Sequence, residues 1–84
     1  MPDILDISAT MTGRALPRDQ AMVVARVKGL SLDDHSFIRG RYRDPVLEGD
    51  VDYVLVQHRH SPKWHTFKLE DLNRDILKES ANVP

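Results

Sequence analysis

The sequence contains no cysteine, and this absence removes several classes of function at once. Disulfide bonds, thiolate metal sites and thiol nucleophiles all require that side chain. Long apolar runs are also missing, since no stretch approaches the roughly 20 residues that span a bilayer. The first residues, MPDILDISATMTG, lack the basic start and the apolar run of a signal peptide. We therefore expect a cytoplasmic protein that does not associate with a membrane.

Length is the second restriction, because 84 residues suffice for one domain and not for two. A domain of this size has a small core and little room for a deep enclosed pocket, which disfavours an enzyme. A content of 40% hydrophobic and 30% charged residues is typical of a soluble, folded protein. We predict one domain over residues 1–84, with residues 1–16 partly irregular and residues 81–84 frayed. We expect neither catalysis nor a cofactor.

Two segments carry the signals of helices. Pro17 suits the first turn of a helix and Gly29 suits the position after its last turn, which predicts a helix over residues 17–28. The three valines of MVVARV also fit a strand, so that alternative stays open. A second helix is predicted in EDLNRDILKES, where apolar residues recur at helical spacing: Leu69, Leu72, Ile76 and Leu77.

Between these segments the apolar pattern changes to that of strands. FIRGRYR and KWHTFKL alternate, VDYVLVQHR is rich in valine, and EGD and SPK supply breaks, which predicts two consecutive antiparallel hairpins. The predicted fold class is α+β, with an antiparallel sheet of three to four strands covered on one side by the helices. If residues 22–29 form a strand, the alternative is a small SH3-like barrel with a C-terminal helix.

We place the turn of the first hairpin at residues 48–50 and that of the second at residues 62–63. The two registers that follow divide the side chains between the two faces of the sheet in the same way. A slip of one residue would exchange the faces of a strand, so this agreement supports the division. Pro45 is a competing break that favours a bulge and another register in the first hairpin. The face expected beneath the helices collects Ile38, Tyr42, Val54, Val56, Phe67 and Leu69. The face expected in solvent collects Arg39, Arg41, Arg43, Tyr53, Leu55, Gln57, Arg59, Trp64 and Lys68.

The solvent face combines positive charge with aromatic rings, and it is the predicted binding surface. The register places Arg39 opposite Arg59, and an anionic partner would relieve the repulsion between such opposed charges. Tyr53 and Trp64 add flat rings of the kind that dominate protein–protein contacts and that also stack on nucleic-acid bases. The predicted binding residues are Arg39, Arg41, Arg43, Tyr53, Arg59, Lys63, Trp64 and Lys68.

The stretch QHRHSPKWHTF contains three of the four histidines. A tight turn at residues 62–63 places His60 opposite His65, and His58 lies on the same face. Opposed residues have Cβ atoms roughly 4.5–5.5 Å apart, near enough to share a zinc ion, but no Asp or Glu completes the ligand set. We therefore predict a structural hairpin tip without bound metal. A pH-sensitive tip stays open, because two facing imidazoles repel once protonated near a pKa of about 6.5.

Charge decides between the two kinds of partner that this surface suits. The net charge is −1, although residues 36–68 carry six basic and four acidic side chains. A slightly acidic chain is a poor general binder of nucleic acid. We predict a small non-enzymatic regulatory or adaptor protein that binds a protein partner, with a nucleic-acid-binding module as the alternative. The oligomeric state is left open.

Overall fold

In the computed structural model, which describes residues 5–81, two helices pack on one face of a three-stranded antiparallel sheet. The predicted α+β class is confirmed, with three strands in the order β1-β2-β3. Residues 1–4 and 82–84, which include most of the predicted frayed tail, lie outside the described residues. No helix within residues 5–81 is long and apolar enough to cross a membrane. The elements are α1 (Arg18–Lys28), β1 (His35–Asp44), β2 (Gly49–His58), β3 (Trp64–Lys68) and α2 (Leu69–Ala81).

Helix α1 begins and ends at the predicted signals. Pro17 precedes it with φ −54°, a backbone angle that proline favours at a helix start. Gly29 follows its last residue in the left-handed conformation, with φ 65°, and its N–H donates to the carbonyls of Ala25 and Arg26. A residue with a Cβ would be strained there. The alternative in which residues 22–29 form a strand, and with it the barrel, is wrong.

The core lies between the helices, the sheet and the segment that precedes α1. Asn73 of α2 fixes that segment, since its Oδ1 accepts from the N–H of Leu5 at 2.8 Å and its Nδ2 donates to the Leu5 carbonyl at 3.3 Å. Val54 and Val56 are fully buried, as predicted, whereas Phe67 and Leu69 are only partly buried. The buried apolar residues are Leu5, Ile7, Leu16, Ala21, Val24, Ala25, Phe37, Val54, Val56, Leu72 and Ile76.

The first hairpin turns earlier than predicted, at residues 45–48. The carboxylate of Asp44 accepts hydrogen bonds from the N–H groups of Val46 at 2.8 Å and Leu47 at 3.2 Å. Pro45, which follows Asp44, has the φ that the second position of a β-turn needs. These local contacts outweigh the break at residues 48–50, and Asp44 pairs with Gly49.

This turn shifts β1 by five residues against β2, so Arg39 lies opposite Val54 and not opposite Arg59. An odd shift exchanges the two faces of a strand. The predicted face assignment of β1 is therefore wrong: Ile38 and Tyr42 lie on the face away from the helices. The side chains of β1 on the helix side are His35, Phe37, Arg39, Arg41 and Arg43.

The second hairpin also has another register, but its faces are as predicted. His58 donates its N–H to the carbonyl of Lys63 at 3.0 Å, which closes a wider loop over residues 59–63. His65 consequently lies opposite Val56 and not opposite His60. The observed register of β3 against β2 differs from the predicted one by four residues. An even difference keeps every side chain on its predicted face. Phe67 faces the helices.

The two edges of the sheet differ. Along β1 the preceding segment is hydrogen-bonded to the strand: Gly13 donates to the carbonyl of Arg39 at 2.8 Å, Arg39 to that of Arg14 at 2.9 Å, and Leu16 to that of Phe37 at 2.9 Å. Among residues 5–81, strand β3 is paired with β2 alone. The β1 edge is thus covered by the segment before α1, and the opposite edge of the sheet is strand β3.

An ion pair connects the two helices above the sheet. Lys28 Nζ of α1 lies 2.7 Å from Asp75 Oδ2 of α2, and the same ammonium lies 4.9 Å from the centre of the Phe67 ring. The hydrogen bond from Lys28 lowers the pKa of the Asp75 carboxyl. A carboxyl whose pKa is lowered by folding stabilises the fold where it is charged, and this contribution disappears as the pH falls through its folded-state pKa.

The variant Asp75→Asn is therefore expected to be less stable than the wild type at neutral pH. The difference in free energy of unfolding should shrink as the pH drops below about 4, where free carboxyls are protonated. Urea denaturation at neutral pH and at about pH 3 measures it. Glu79→Gln is the control, because Glu79 lies 3.0 Å from Arg26 in an exposed pair between the same helices and should contribute at most about 1 kcal/mol. If the difference in free energy of unfolding between the wild type and Asp75→Asn does not change with pH, the stabilising role of the Lys28–Asp75 ion pair is contradicted.

Candidate functional site

The sheet turns one face away from the helices, and we call it the open face. Its exposed rings are those of Trp64, 62% exposed, and Tyr42, 40% exposed. Leu55 is half-buried between its neighbours on the adjacent strands. The residues of the open face are Ser36, Ile38, Gly40, Tyr42, Asp44, Gly49, Val51, Tyr53, Leu55, Gln57, Trp64, Thr66 and Lys68.

A shallow depression of about 430 Å³ lies in the open face. The rings of Tyr42 and Tyr53 bound it on one side, with centroids 5.6 Å apart and planes tilted by 52°. Trp64 bounds it on the side of β3. Two rings held close together and a third across the depression form a concave aromatic surface suited to an apolar side chain from a partner. Its lining is Tyr42, Tyr53, Leu55, Gln57, Trp64 and Thr66.

Gly40 holds this arrangement in place. It lies opposite Tyr53 in the register, and the ring of Tyr53 occupies the space that a Cβ on Gly40 would fill. The ring therefore lies across the bare backbone of β1. Our reading of the sequence missed this role of Gly40. A glycine inside a strand pattern is the signal, because it often marks the close approach of another group.

Arg39 is not on the open face. It is 8% exposed on the helix side, and its guanidinium donates to the carbonyls of Thr10 and Ser8 and lies 3.4 Å from Asp52. A buried guanidinium needs such partners, because an unpaired charge in the interior is costly. Arg39 therefore holds the segment before α1 against the sheet.

The other arginines of β1 also lie on the helix side. Arg41 Nε is 3.3 Å from Asp52 and 3.9 Å from Asp50, and Arg43 lies directly opposite Asp50. The predicted surface that unites the three arginines with Tyr53 and Trp64 is wrong, because the odd register shift separates them. Arg39 and Arg41 form ion pairs with the carboxylates of β2, whereas Arg43 forms none among the described residues.

The remaining predicted residues divide between the loop and the open face. Arg59 is bound to the start of β1, since its main-chain N–H donates to the carbonyl of Asp34 at 2.8 Å and its Nε donates to the carbonyl of His35 at 3.3 Å. Lys68 lies on the open face, and Lys63 lines a small cavity beside Trp64. No ion pair within residues 5–81 includes Lys63 or Lys68. The structure thus brings Tyr53, Trp64 and the two lysines to one side of the sheet.

The histidines do not form the predicted cluster. His58 lies between His35 and His60, with ring centroids 5.0 Å and 6.0 Å away, while His65 stacks on Phe67 on the helix side. The pairing of His60 with His65 is wrong, because residues 59–63 form a loop wider than the predicted turn. In the part of the chain that the structure describes, no three His, Asp or Glu side chains are arranged to hold a metal ion.

No protein-family model matches this chain, and no curated protein or solved structure resembles it at a significant level. The case for a function therefore rests on the open face and its surroundings.

The variant Gly40→Ala is expected to displace the Tyr53 ring, since the added methyl group and the ring require the same space. Overpacking of this kind costs about 1–3 kcal/mol. Urea denaturation measures the cost, and near-ultraviolet circular dichroism reports the Tyr42–Tyr53 packing. Gly49→Ala is the matched control, because a Cβ on Gly49 would make only an ordinary contact with the Leu47 carbonyl, and it should keep the near-ultraviolet signal of the rings. Unchanged stability and an unchanged spectrum in Gly40→Ala would refute the contact.

Proposed function

We propose that this protein is a non-enzymatic regulatory or adaptor module that binds a protein partner through the open face. The observation that carries the proposal is the exposed ring of Trp64 beside a depression bounded by two tyrosines. Tryptophan and tyrosine supply a large share of the binding energy at protein interfaces, where they fill or line small pockets. Exposed aromatic area on a sheet is costly to keep in water unless a partner covers it.

The charges around the open face specify the chemistry of the partner. Arg41 is balanced by Asp50 and Asp52 on the other side of the sheet. Lys63 lines a small cavity beside Trp64, whereas Lys68 lies at the other end of β3, opposite Tyr53. Neither lysine forms an ion pair among the described residues. A complementary surface would insert an apolar side chain into the depression and place Asp or Glu residues against the two lysines. The proposed partner is therefore a protein with an apolar anchor flanked by acidic residues.

The lining of the depression supports binding over catalysis. Its side chains are aromatic, aliphatic, amide and hydroxyl groups. Groups of this kind orient and bury a ligand, whereas a general acid or base needs a pKa near the working pH. The depression is also shallow, so a bound group would remain in contact with water.

Nucleic acid is the second candidate, and Trp64 with Lys63 and Lys68 favours it. Protein is the better match because the arginines that would follow a phosphate backbone lie on the helix side, where Arg39 and Arg41 are paired with carboxylates. Two lysines neutralise few phosphates, and affinity for nucleic acid depends on that number.

Trp64→Ala tests the proposed face. We expect partner capture from a lysate of the cells that express the protein to fall by about 30-fold, as for the loss of an interface hot spot. The melting temperature should change little, because Trp64 is 62% exposed. Lys68→Glu should weaken capture of the same partner by charge repulsion.

Arg43→Ala is the matched control, since Arg43 is an exposed residue on the opposite face. It should retain the partner. Equal losses in Arg43→Ala and Trp64→Ala, or full retention in Trp64→Ala, would show that the open face is not the binding surface.

Titration with single- and double-stranded oligonucleotides distinguishes the two candidates. We expect no binding by micromolar protein at about 50 mM salt, because few phosphate contacts are available and higher salt can only weaken them. Fluorescence of Trp64 is the measurement, since base stacking would quench it. Saturable quenching that is lost in Lys68→Glu would favour nucleic acid.

A further inference from the structure

Strand β3 presents a free main-chain edge, in contrast to β1. Four of its five residues are exposed, and only Phe67 is half-buried. The edge of β1 is closed by the hydrogen bonds of Gly13, Arg14 and Leu16, whereas in the described part of the chain β3 pairs with β2 alone. A free edge of this kind is a template for another strand, and proteins commonly block it when no strand is meant to add.

The hydrogen-bond pattern shows which groups point outward. His58 and Lys63 form a hydrogen-bonded pair, through the bond from the His58 N–H to the Lys63 carbonyl. Hydrogen-bonded pairs alternate along an antiparallel ladder, so His65 and Phe67 direct their main-chain groups at β2. Trp64 and Thr66 then direct theirs away from the sheet. Within residues 5–81 neither forms a main-chain hydrogen bond to another segment.

We propose that β3 pairs antiparallel with β3 of a second copy of this chain, about a twofold axis at Thr66. The two sheets become one continuous six-stranded sheet, built from three strands of each copy. Thr66 lies opposite Thr66 of the partner subunit, and each donates its outward N–H to the carbonyl of the other. A twofold contact of this kind is closed, since each edge is used once.

A second copy fits this edge because its side chains are self-complementary. On the open face Trp64 lies opposite Lys68 of the partner subunit, which places an ammonium group against an indole ring. On the helix side His65 lies opposite Phe67 of the partner subunit, an aromatic pair. An axis at Lys68 would oppose two like charges, and an axis at Trp64 would leave part of the strand unpaired. The axis at Thr66 pairs the whole strand.

The proposed dimer differs from the proposed function in its main contact, because the dimer depends on the main chain of β3, although the side chains of Trp64 and Lys68 take part in both. The two also combine: the open faces of both copies would form one surface, with Trp64 of each copy near its middle. Loss of one activity therefore need not remove the other.

Cysteine cross-linking tests the axis, and the natural sequence has no cysteine to interfere. In the Thr66→Cys variant the two thiols would lie across the axis, with Cβ atoms about 5 Å apart. A short bifunctional maleimide should convert most of the protein to a covalent dimer. Val46→Cys is the control, because Val46 is 86% exposed in the turn between β1 and β2, away from β3. If it cross-links as readily as Thr66→Cys, collisions explain both and the axis is wrong.

Proline substitution tests the main-chain contact. Thr66→Pro removes the outward N–H, which no bond within the sheet uses, so the fold should survive while the dimer is lost. Thr66→Ser keeps the N–H and should remain dimeric. Sedimentation from micromolar to millimolar concentration measures the mass, and circular dichroism reports the fold. A wild type that sediments as a monomer throughout, or a dimeric and folded Thr66→Pro, overturns the proposal. If Thr66→Pro unfolds, the cross-linking result decides.

Discussion

The hydrogen bonds that the Asp44 carboxylate accepts from Val46 and Leu47 determine what each side of the sheet can do. They end β1 one residue before Pro45 and set its register against β2. The turn predicted at residues 48–50 would bring Tyr42 beneath the helices and Arg39 into solvent. With the turn at residues 45–48, the tyrosine joins the open face and the arginine enters the interior.

The buried arginine then determines how the sheet ends. Its charge has to be compensated, and the partners within reach are Asp52 and the carbonyls of Ser8 and Thr10. Binding those carbonyls draws the segment before α1 along β1, where Gly13 and Leu16 complete the edge. An interior cation thus covers one edge of the sheet, and β3 is left as the strand where a further strand can add.

The sequence pattern predicts the helices and strands, but it does not predict which side chains of β1 lie beneath the helices. Pro17 and Gly29 mark the ends of α1 through backbone angles, which are local properties. The faces of β2 and β3 were predicted correctly because an even error in register leaves them unchanged. In β1 both parities offer apolar residues, Phe37 in one and Ile38 with Tyr42 in the other, so alternation does not decide between them. The sequence pattern does not distinguish a buried arginine from an exposed one. Only the turn that follows Asp44 decides which face of β1 is buried.

The same reasoning explains why the candidate site was predicted in part. Tyr53, Trp64 and Lys68 share a face whatever even shift the second hairpin adopts, so their grouping followed from the period of a strand. The three arginines depended on the first turn, and they lie with Asp50 and Asp52 on the helix side. Because Arg39 and Arg41 are paired with these carboxylates, the proposed binding by the open face would rest on the shape and area of its rings more than on a long-range field. With a net charge of −1, the selectivity of the proposed module would depend on contacts made after encounter: an apolar group in the depression and an acidic group at Lys63 or Lys68.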